Sequence, residues 1–96
     1  MIRRDGSILR LEGPVTLETV GRLLQEGRRL LDATITGVDL SGVGSADSSA
    51  LALLLEWSRQ AGRQDRRLRL LHAGPGLANL VDLYGLEDVL PVGADA

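Results

Sequence analysis

The chain has 96 residues, of which 44% are hydrophobic and 25% are charged, a composition typical of a soluble globular domain. At this length we expect one domain, residues 1–96, with a modest core. The formal net charge of -2 argues against non-specific nucleic-acid binding, and the lack of cysteine excludes disulfides and thiolate chemistry. No apolar run approaches the ~20 residues of a spanning helix, and the N-terminus does not resemble a signal peptide. We therefore expect a cytoplasmic protein without direct membrane insertion.

The first part of the sequence predicts a β-hairpin followed by a helix. Residues 7–12 alternate between apolar and polar side chains, as a strand does, and residues 1–4 can pair with them because Asp5-Gly6 is a favoured hairpin turn. Apolar residues at helical spacing, which begin with Leu17 and Val20, then predict a helix from Thr16 to about Leu31, with Thr16 as its N-cap.

The rest of the chain predicts strands that alternate with helices. In order, we expect a central strand over 35–40, a helix over 48–61, a strand over 67–72, a helix over 77–84 that ends at Gly85, and a last strand over 87–92. This alternation predicts an α/β fold. Because the helices are few and short, we expect a small sheet covered mainly on one side.

The most informative stretch is residues 38–57, VDLSGVGSADSSALALLLEW. A strand that contains Asp39 runs into a Gly/Ser-rich turn, and Asp47, Ser48 and Ser49 then open a helix whose next six residues are all apolar. A carboxylate and two hydroxyls therefore lie at a helix N-terminus beside apolar surface. This arrangement favours a protein contact that a small change in charge could control.

Residue patterns for catalysis, metals or nucleotides are weak. His72 is the only histidine, so no metal site is expected. Gly42 and Gly44 do not form a phosphate-binding loop, and the chain has no lysine to contact a nucleotide phosphate. We expect no cofactor and no enzymatic activity, and a ligand-binding or enzymatic domain is the least favoured hypothesis.

The stretch DLSGVGSADSSALALLL resembles the signature of STAS domains, which commonly read DLSxVxxhDSSGLxxLL. The tail NLVDLYGLEDVLP is similar to that of the small cytoplasmic STAS subunit of Mla-type phospholipid ABC transporters. The resemblance implies the STAS fold, a small mixed sheet packed on one side by helices. It also implies a non-enzymatic partner of an ABC transporter ATPase.

The same resemblance implies a larger complex and a location. The complex contains a membrane permease and a lipid-binding MCE-type subunit, and it maintains outer-membrane lipid asymmetry. The STAS subunit is cytoplasmic and associates with the inner membrane through the complex. An alternative within the superfamily is an anti-sigma factor antagonist that is regulated by serine phosphorylation.

The resemblance also assigns roles near the helix N-terminus. Ser48 stands where transporter subunits have a functional threonine, and Ser49 stands where anti-sigma factor antagonists are phosphorylated. Ala50 replaces the usual glycine of the signature, which raises the question of how closely a partner can approach.

We expect Ser48 to cap the helix and to contact the partner. Phosphorylation of Ser48 or Ser49 is the less favoured hypothesis, and Trp57 fits either the core or the interface. The candidate partner-binding or switch residues are Asp39, Ser41, Asp47, Ser48, Ser49, Ala50, Leu53 and Trp57.

Overall fold

The computed structural model describes three stretches of the chain, residues 1–63, 68–86 and 88–90. In these residues, four β-strands form one sheet in the order β1-β2-β3-β4, and three helices accompany it. This arrangement is the α/β class that the sequence predicts. None of the helices in the described stretches is both long enough and apolar enough to cross a bilayer.

The hairpin and the central strand are confirmed, although the central strand begins and ends two residues later than predicted. β1 (Ile2–Asp5) pairs antiparallel with β2 (Ile8–Glu12), and β2 pairs parallel with β3 (Gly37–Gly42). β4 (Arg69–Leu71) lies parallel to β3 on its other side. The hairpin turn is one residue later than expected, because Gly6 occupies it with φ +63°, a backbone conformation that glycine adopts at little cost.

The sheet is apolar on one face and charged on the other. Leu9 and Leu11 of β2 are buried, whereas Arg10 between them is exposed. On the charged face, Arg10 is paired in register with Arg3 on one side and with Asp39 on the other. Alternation of this kind is typical of a sheet that packs against helices on one side only.

Three helices supply the apolar side chains that cover this face: α1 (Val20–Leu30), α2 (Ser48–Gly62) and α3 (Gly74–Leu83). α2 contributes the most, since six of its residues are buried. They are Ala50, Leu51, Leu53, Leu54, Trp57 and Ala61. The first residue of α2, Ser48, is exposed, whereas most of the apolar residues that follow it are buried.

The ends of α1 and α3 differ from the prediction. α1 begins at Val20, because residues 16–19 form a turn in which the Thr16 carbonyl accepts hydrogen bonds from the amides of Thr19 and Val20. Thr16 is therefore not the N-cap. α3 begins three residues earlier than predicted, at Gly74.

Gly85 ends α3 as the sequence predicts. It has φ +66°, its amide donates to the Asp82 carbonyl, and the Leu86 amide donates to the Val81 carbonyl. These two hydrogen bonds form a Schellman motif, which satisfies carbonyl groups at the helix end.

Two predicted strands are shorter or absent. β4 spans only Arg69–Leu71; Arg67 lies outside the described residues, and His72 leaves the strand with φ 55°. The prediction of a last strand over 87–92 is wrong for residues 88–90, which form turns, and its remaining positions lie outside the described residues. The amides of Val89 and Leu90 donate instead to the Leu86 carbonyl, and the Val89 carbonyl accepts a hydrogen bond from the Ser58 hydroxyl of α2 at 3.1 Å.

A close contact between α1 and α2 predicts the effect of one added methyl group. A Cβ atom at Gly27 would lie 2.5 Å from ring atoms of Trp57, whose side chain is fully buried. Gly27→Ala should therefore lower the free energy of unfolding by about 1–3 kcal/mol through overpacking. Gly21→Ala in the same helix is the control, because no atom lies within 4 Å of its Cβ position. The control should stabilise the protein by up to about 1 kcal/mol. Urea unfolding of both variants measures the difference, and equal stability would contradict the contact.

A cluster around Asp32 predicts a dependence of stability on pH. Asp32 accepts hydrogen bonds from the side chain and amide of Thr34 and forms an ion pair with Arg4, and these contacts lower its pKa to about 2. Because the pKa is lower in the folded state, this stabilisation is present above pH ~4 and is lost as the pH falls toward 2. Asp32→Asn should flatten the fall in unfolding free energy between pH 4 and 2. A slope equal to that of the wild type in urea titrations would contradict it.

Candidate functional site

The candidate site is built where the loop after β3 meets the segment after β2. The Gly13 amide donates to the Gly42 carbonyl at 3.0 Å, and the Val15 amide donates to the Ser45 carbonyl at 2.9 Å. Val15 and Ala46 then form an isolated parallel bridge. The sheet pairing thus continues past the strand ends and fixes the chain that leads into α2.

Asp47 is the N-cap of α2. Its Oδ1 accepts a hydrogen bond from the Ser49 amide at 2.8 Å, and its Oδ2 accepts one from the Leu17 amide at 3.3 Å. The Ser49 hydrogen bond, together with that from Leu17, holds the pKa of Asp47 below its ordinary value despite some desolvation. Asp47 is therefore ionised at neutral pH, and each of its carboxylate oxygens accepts a hydrogen bond from a backbone amide.

Ser48 is the first residue of α2 and is exposed. The expectation that Ser48 caps the helix is wrong, because Asp47 performs that role. Ser49, the next residue, is partly buried. Ser48 is therefore free of the capping role, and its side chain is accessible from outside.

An open apolar groove of about 450 Å³ adjoins Ser48. One wall consists of α2 side chains and the other follows the end of α3; its lining residues are Ser48, Leu51, Ala52, Leu55, Tyr84 and Leu86. Tyr84 is 57% exposed, although large aromatic side chains are usually well covered. We call this feature the Ser48 groove.

Three residues that the sequence suggested for partner contact lie in the core instead. Ala50, Leu53 and Trp57 have 2%, 0% and 0% of their surface exposed. These three side chains belong to the face of α2 that packs in the core, where Trp57 lies against α1. In the first two turns of α2, Ser48 and Ala52 are exposed and Leu55 is partly exposed. Trp57 is thus a core residue, and Leu53 is not available to a partner in this conformation.

Asp39 and Ser41 belong to the charged face of the sheet. Asp39 is 8% exposed, its Oδ1 accepts a hydrogen bond from the Ser41 amide at 2.9 Å, and its Oδ2 lies 3.6 Å from Arg10 Nε. Burial opposes its ionisation, but Ser41 and the charges of His72 and Arg10 hold its pKa below the ordinary value. Asp39 thus orders the end of β3 by accepting a hydrogen bond from the backbone, the role that the sequence suggested for it.

The candidates for a catalytic or metal site are a second cleft and the described acidic and histidine side chains. A second cleft of about 330 Å³ lies beside the carboxyl ends of β3 and β4, between residues 43–46 and 73–77. Ser45 is the only polar side chain among its lining residues, so the cleft lacks a nucleophile paired with a base. In the part of the chain that the structure describes, no three His, Asp or Glu side chains group as metal ligands would.

Two features of the site were not evident from the sequence. Leu17 was expected in the apolar stripe of α1, but it precedes the helix and is 78% exposed. Tyr84 was expected at the end of the last helix and Leu86 only as part of a family-like tail, whereas in the structure both line one wall of the Ser48 groove. Helical spacing alone places an apolar residue that precedes a helix on the buried face of that helix, even when the residue is exposed, as Leu17 is.

The fold and this site define a STAS domain. The family model described as "Mlab, STAS domain" matches residues 2–91, and the chain belongs to that family. Among curated proteins, the intermembrane phospholipid transport system binding protein MlaB of Haemophilus influenzae is 34% identical over 58 residues. That match covers 60% of this chain and 55% of the relative, so it spans about half of the relative's length.

Solved structures share the fold at low sequence identity. A candidate anti-sigma factor antagonist from Thermotoga maritima has a TM-score of 0.79 at 13% identity, over 96% of this chain and 83% of its own. The anti-sigma factor antagonist SpoIIAA in its unphosphorylated form has a TM-score of 0.65 at 17% identity, over 86% of this chain and 81% of its own. These similarities confirm the STAS fold, a mixed sheet with three helices, and at this identity they concern the fold alone.

The capping geometry predicts that substitution of Asp47 lowers the stability of the protein and that substitution of Ser48 hardly changes it. Asp47→Ala removes both hydrogen bonds at the start of α2 and should shift the urea unfolding midpoint to lower concentration. Ser48→Ala removes only an exposed hydroxyl and should change the unfolding free energy by no more than about 0.5 kcal/mol. If Ser48→Ala is the more destabilising of the two, the assignment of Asp47 as the cap is wrong.

Proposed function

We propose that the chain is the STAS subunit of an intermembrane phospholipid-transport ABC complex and that it binds the cytoplasmic ATPase of that complex. The observation that carries this proposal is the Ser48 groove, an exposed serine at a helix N-terminus next to open apolar surface. The family and the H. influenzae relative, named for an intermembrane phospholipid transport system, support the assignment to such a complex.

The chemistry of the groove suits a protein partner. Exposed apolar surface that is bordered by polar groups is typical of protein–protein contacts, and tyrosine is enriched among residues that dominate binding energy. Here Tyr84 and Leu55 offer apolar area, and Ser48 offers one hydrogen-bond donor and acceptor. A partner that fills the groove with an apolar side chain and forms a hydrogen bond with Ser48 would match this combination of apolar and polar surface.

The role we infer is non-enzymatic. By binding the ATPase, the subunit would stabilise the active ATPase dimer and support assembly of the transporter, without binding lipid itself. It would be located on the cytoplasmic side of the inner membrane, in a complex with a permease and an MCE-type subunit. Its contribution to the cell would be the maintenance of outer-membrane lipid asymmetry.

The alternative, an anti-sigma factor antagonist regulated by phosphorylation, has less support. It is favoured by solved structures that share the fold at 13% and 17% identity, a level that concerns the fold alone. A phosphate at Ser48 or Ser49 would add about -1.5 to -2 charge next to the ionised Asp47 and the apolar groove. Such a group would oppose docking, so phosphorylation would act as an off-switch for either partner.

Charge added at the groove should weaken binding to the ATPase. Ser48→Glu and Ala52→Asp should each raise the dissociation constant roughly tenfold or more, because a carboxylate would lose its water against apolar surface. Both positions are exposed, so the variants should fold normally. Ser7→Glu is the matched control: Ser7 is also exposed, but it lies in the β1–β2 turn, at the opposite end of the parallel strands from Ser48.

Biolayer interferometry with the purified ATPase measures these constants, and circular dichroism checks the fold. If both groove variants bind the ATPase as tightly as the wild type, the Ser48 groove is not the interface. A wild-type protein that fails to bind the ATPase, but is phosphorylated on Ser49 by a cognate kinase, would favour the anti-sigma alternative.

A further inference from the structure

Leu17 has the highest exposed fraction, 78%, among the large hydrophobic side chains that the structure describes. It lies in the turn between β2 and α1, and the sequence had suggested that it packs in the core. A single exposed leucine is common on protein surfaces. The position of Leu17 is unusual because the turn that carries it is tied to the start of α2.

Hydrogen bonds fix this turn at several points. The Asp47 amide donates to the Val15 carbonyl at 3.3 Å, and the Leu17 amide donates to Asp47 Oδ2 at the same distance. Thr19 Oγ1 accepts a hydrogen bond from the Thr16 amide at 3.0 Å and donates one to the Pro14 carbonyl at 2.9 Å. The backbone of Leu17 is therefore held before any partner arrives, which lowers the entropy lost on binding.

We propose that Leu17 is a second anchor of the ATPase-binding surface and that Asp47 is the positioning residue that holds it beside Ser48. This inference rests on the proposed function and deepens it. The surface is continuous: Asp47 contacts the Leu17 amide and precedes Ser48, and Ser48 lines the groove. An ATPase that covers Ser48 therefore lies close to the turn that carries Leu17.

The two residues have different roles in this surface. Both carboxylate oxygens of Asp47 accept hydrogen bonds from backbone amides of the chain itself. We therefore assign Asp47 a positioning role, exerted through the amides of Leu17 and Ser49. Leu17 contributes a branched apolar side chain, so its binding site on the ATPase is an apolar pocket.

The role of Leu17 is tested by removing its side chain. Leu17→Ser should weaken binding of the full chain to the purified ATPase roughly tenfold, as expected for an anchor residue. Leu83→Ser is the control, because Leu83 is 75% exposed but does not line the Ser48 groove. Its affinity should stay within about twofold of the wild type. Equal losses in both variants would contradict a specific role for Leu17.

Asp47→Asn isolates the hydrogen bond to Leu17. Asparagine is also a good N-cap, so its one carbonyl oxygen can still accept from the Ser49 amide, whereas its NH₂ group cannot accept from Leu17. The Leu17 amide should then exchange with deuterium faster, and affinity should fall severalfold. The double variant Leu17→Ser, Asp47→Asn should bind no more weakly than Leu17→Ser alone, because both changes remove one anchor. Additive losses would show that Asp47 does not act through Leu17.

The possible failures are distinguishable. If the wild type binds the ATPase and Leu17→Ser binds equally well, this inference is wrong and the proposed function stands. If the wild type does not bind the ATPase, both are wrong.

Discussion

The packing of Trp57 against Gly27 determines how α2 is oriented. The indole is fully buried at a place where α1 has no side chain, and a Cβ there would overlap the ring atoms. Its Nε1 has no hydrogen-bond partner among the described residues, a loss of about 1–3 kcal/mol that the packing offsets. With this face fixed inward, Leu53 is also buried one turn earlier, since residues four apart share a helix face. Ser48 and Ala52 consequently face outward.

The sequence predicts the fold well because its signals are local. The β1–β2 hairpin, the central β3 strand and the glycine that ends α3 each follow from short-range patterns of alternation and turn residues. The conformation of the turn that precedes α1 and carries Leu17 was not predictable in this way. The Leu17 amide donates to Asp47, thirty positions later, and local periodicity does not contain such a contact.

The sequence predicted the start of α2 as the centre of the candidate site, but it did not predict which other residues surround it. Asp47 and Ser48 follow from the helix start, but six consecutive apolar residues in α2 give no indication of which side is exposed. The contact of Trp57 with Gly27, which lies over twenty residues before the start of α2, favours one of the two orientations. The site that results combines a helix start held by hydrogen bonds within the chain, an open apolar groove and an exposed leucine. A surface held in this way is suited to assembly with a partner with little loss of entropy.

Site-specific photocrosslinking in the native host tests most directly whether this surface meets an ATPase. A benzoylphenylalanine residue introduced at Ala52 lies on the Ser48 groove, and one at Ser7 lies in the β1–β2 turn and serves as the control. We expect Ala52 to crosslink to the ATPase subunit of an ABC transporter, identified by mass spectrometry, and Ser7 to give no such product. A crosslink from Ala52 to a soluble kinase-like protein, or ATPase crosslinks from Ser7 alone, would contradict the proposed interface.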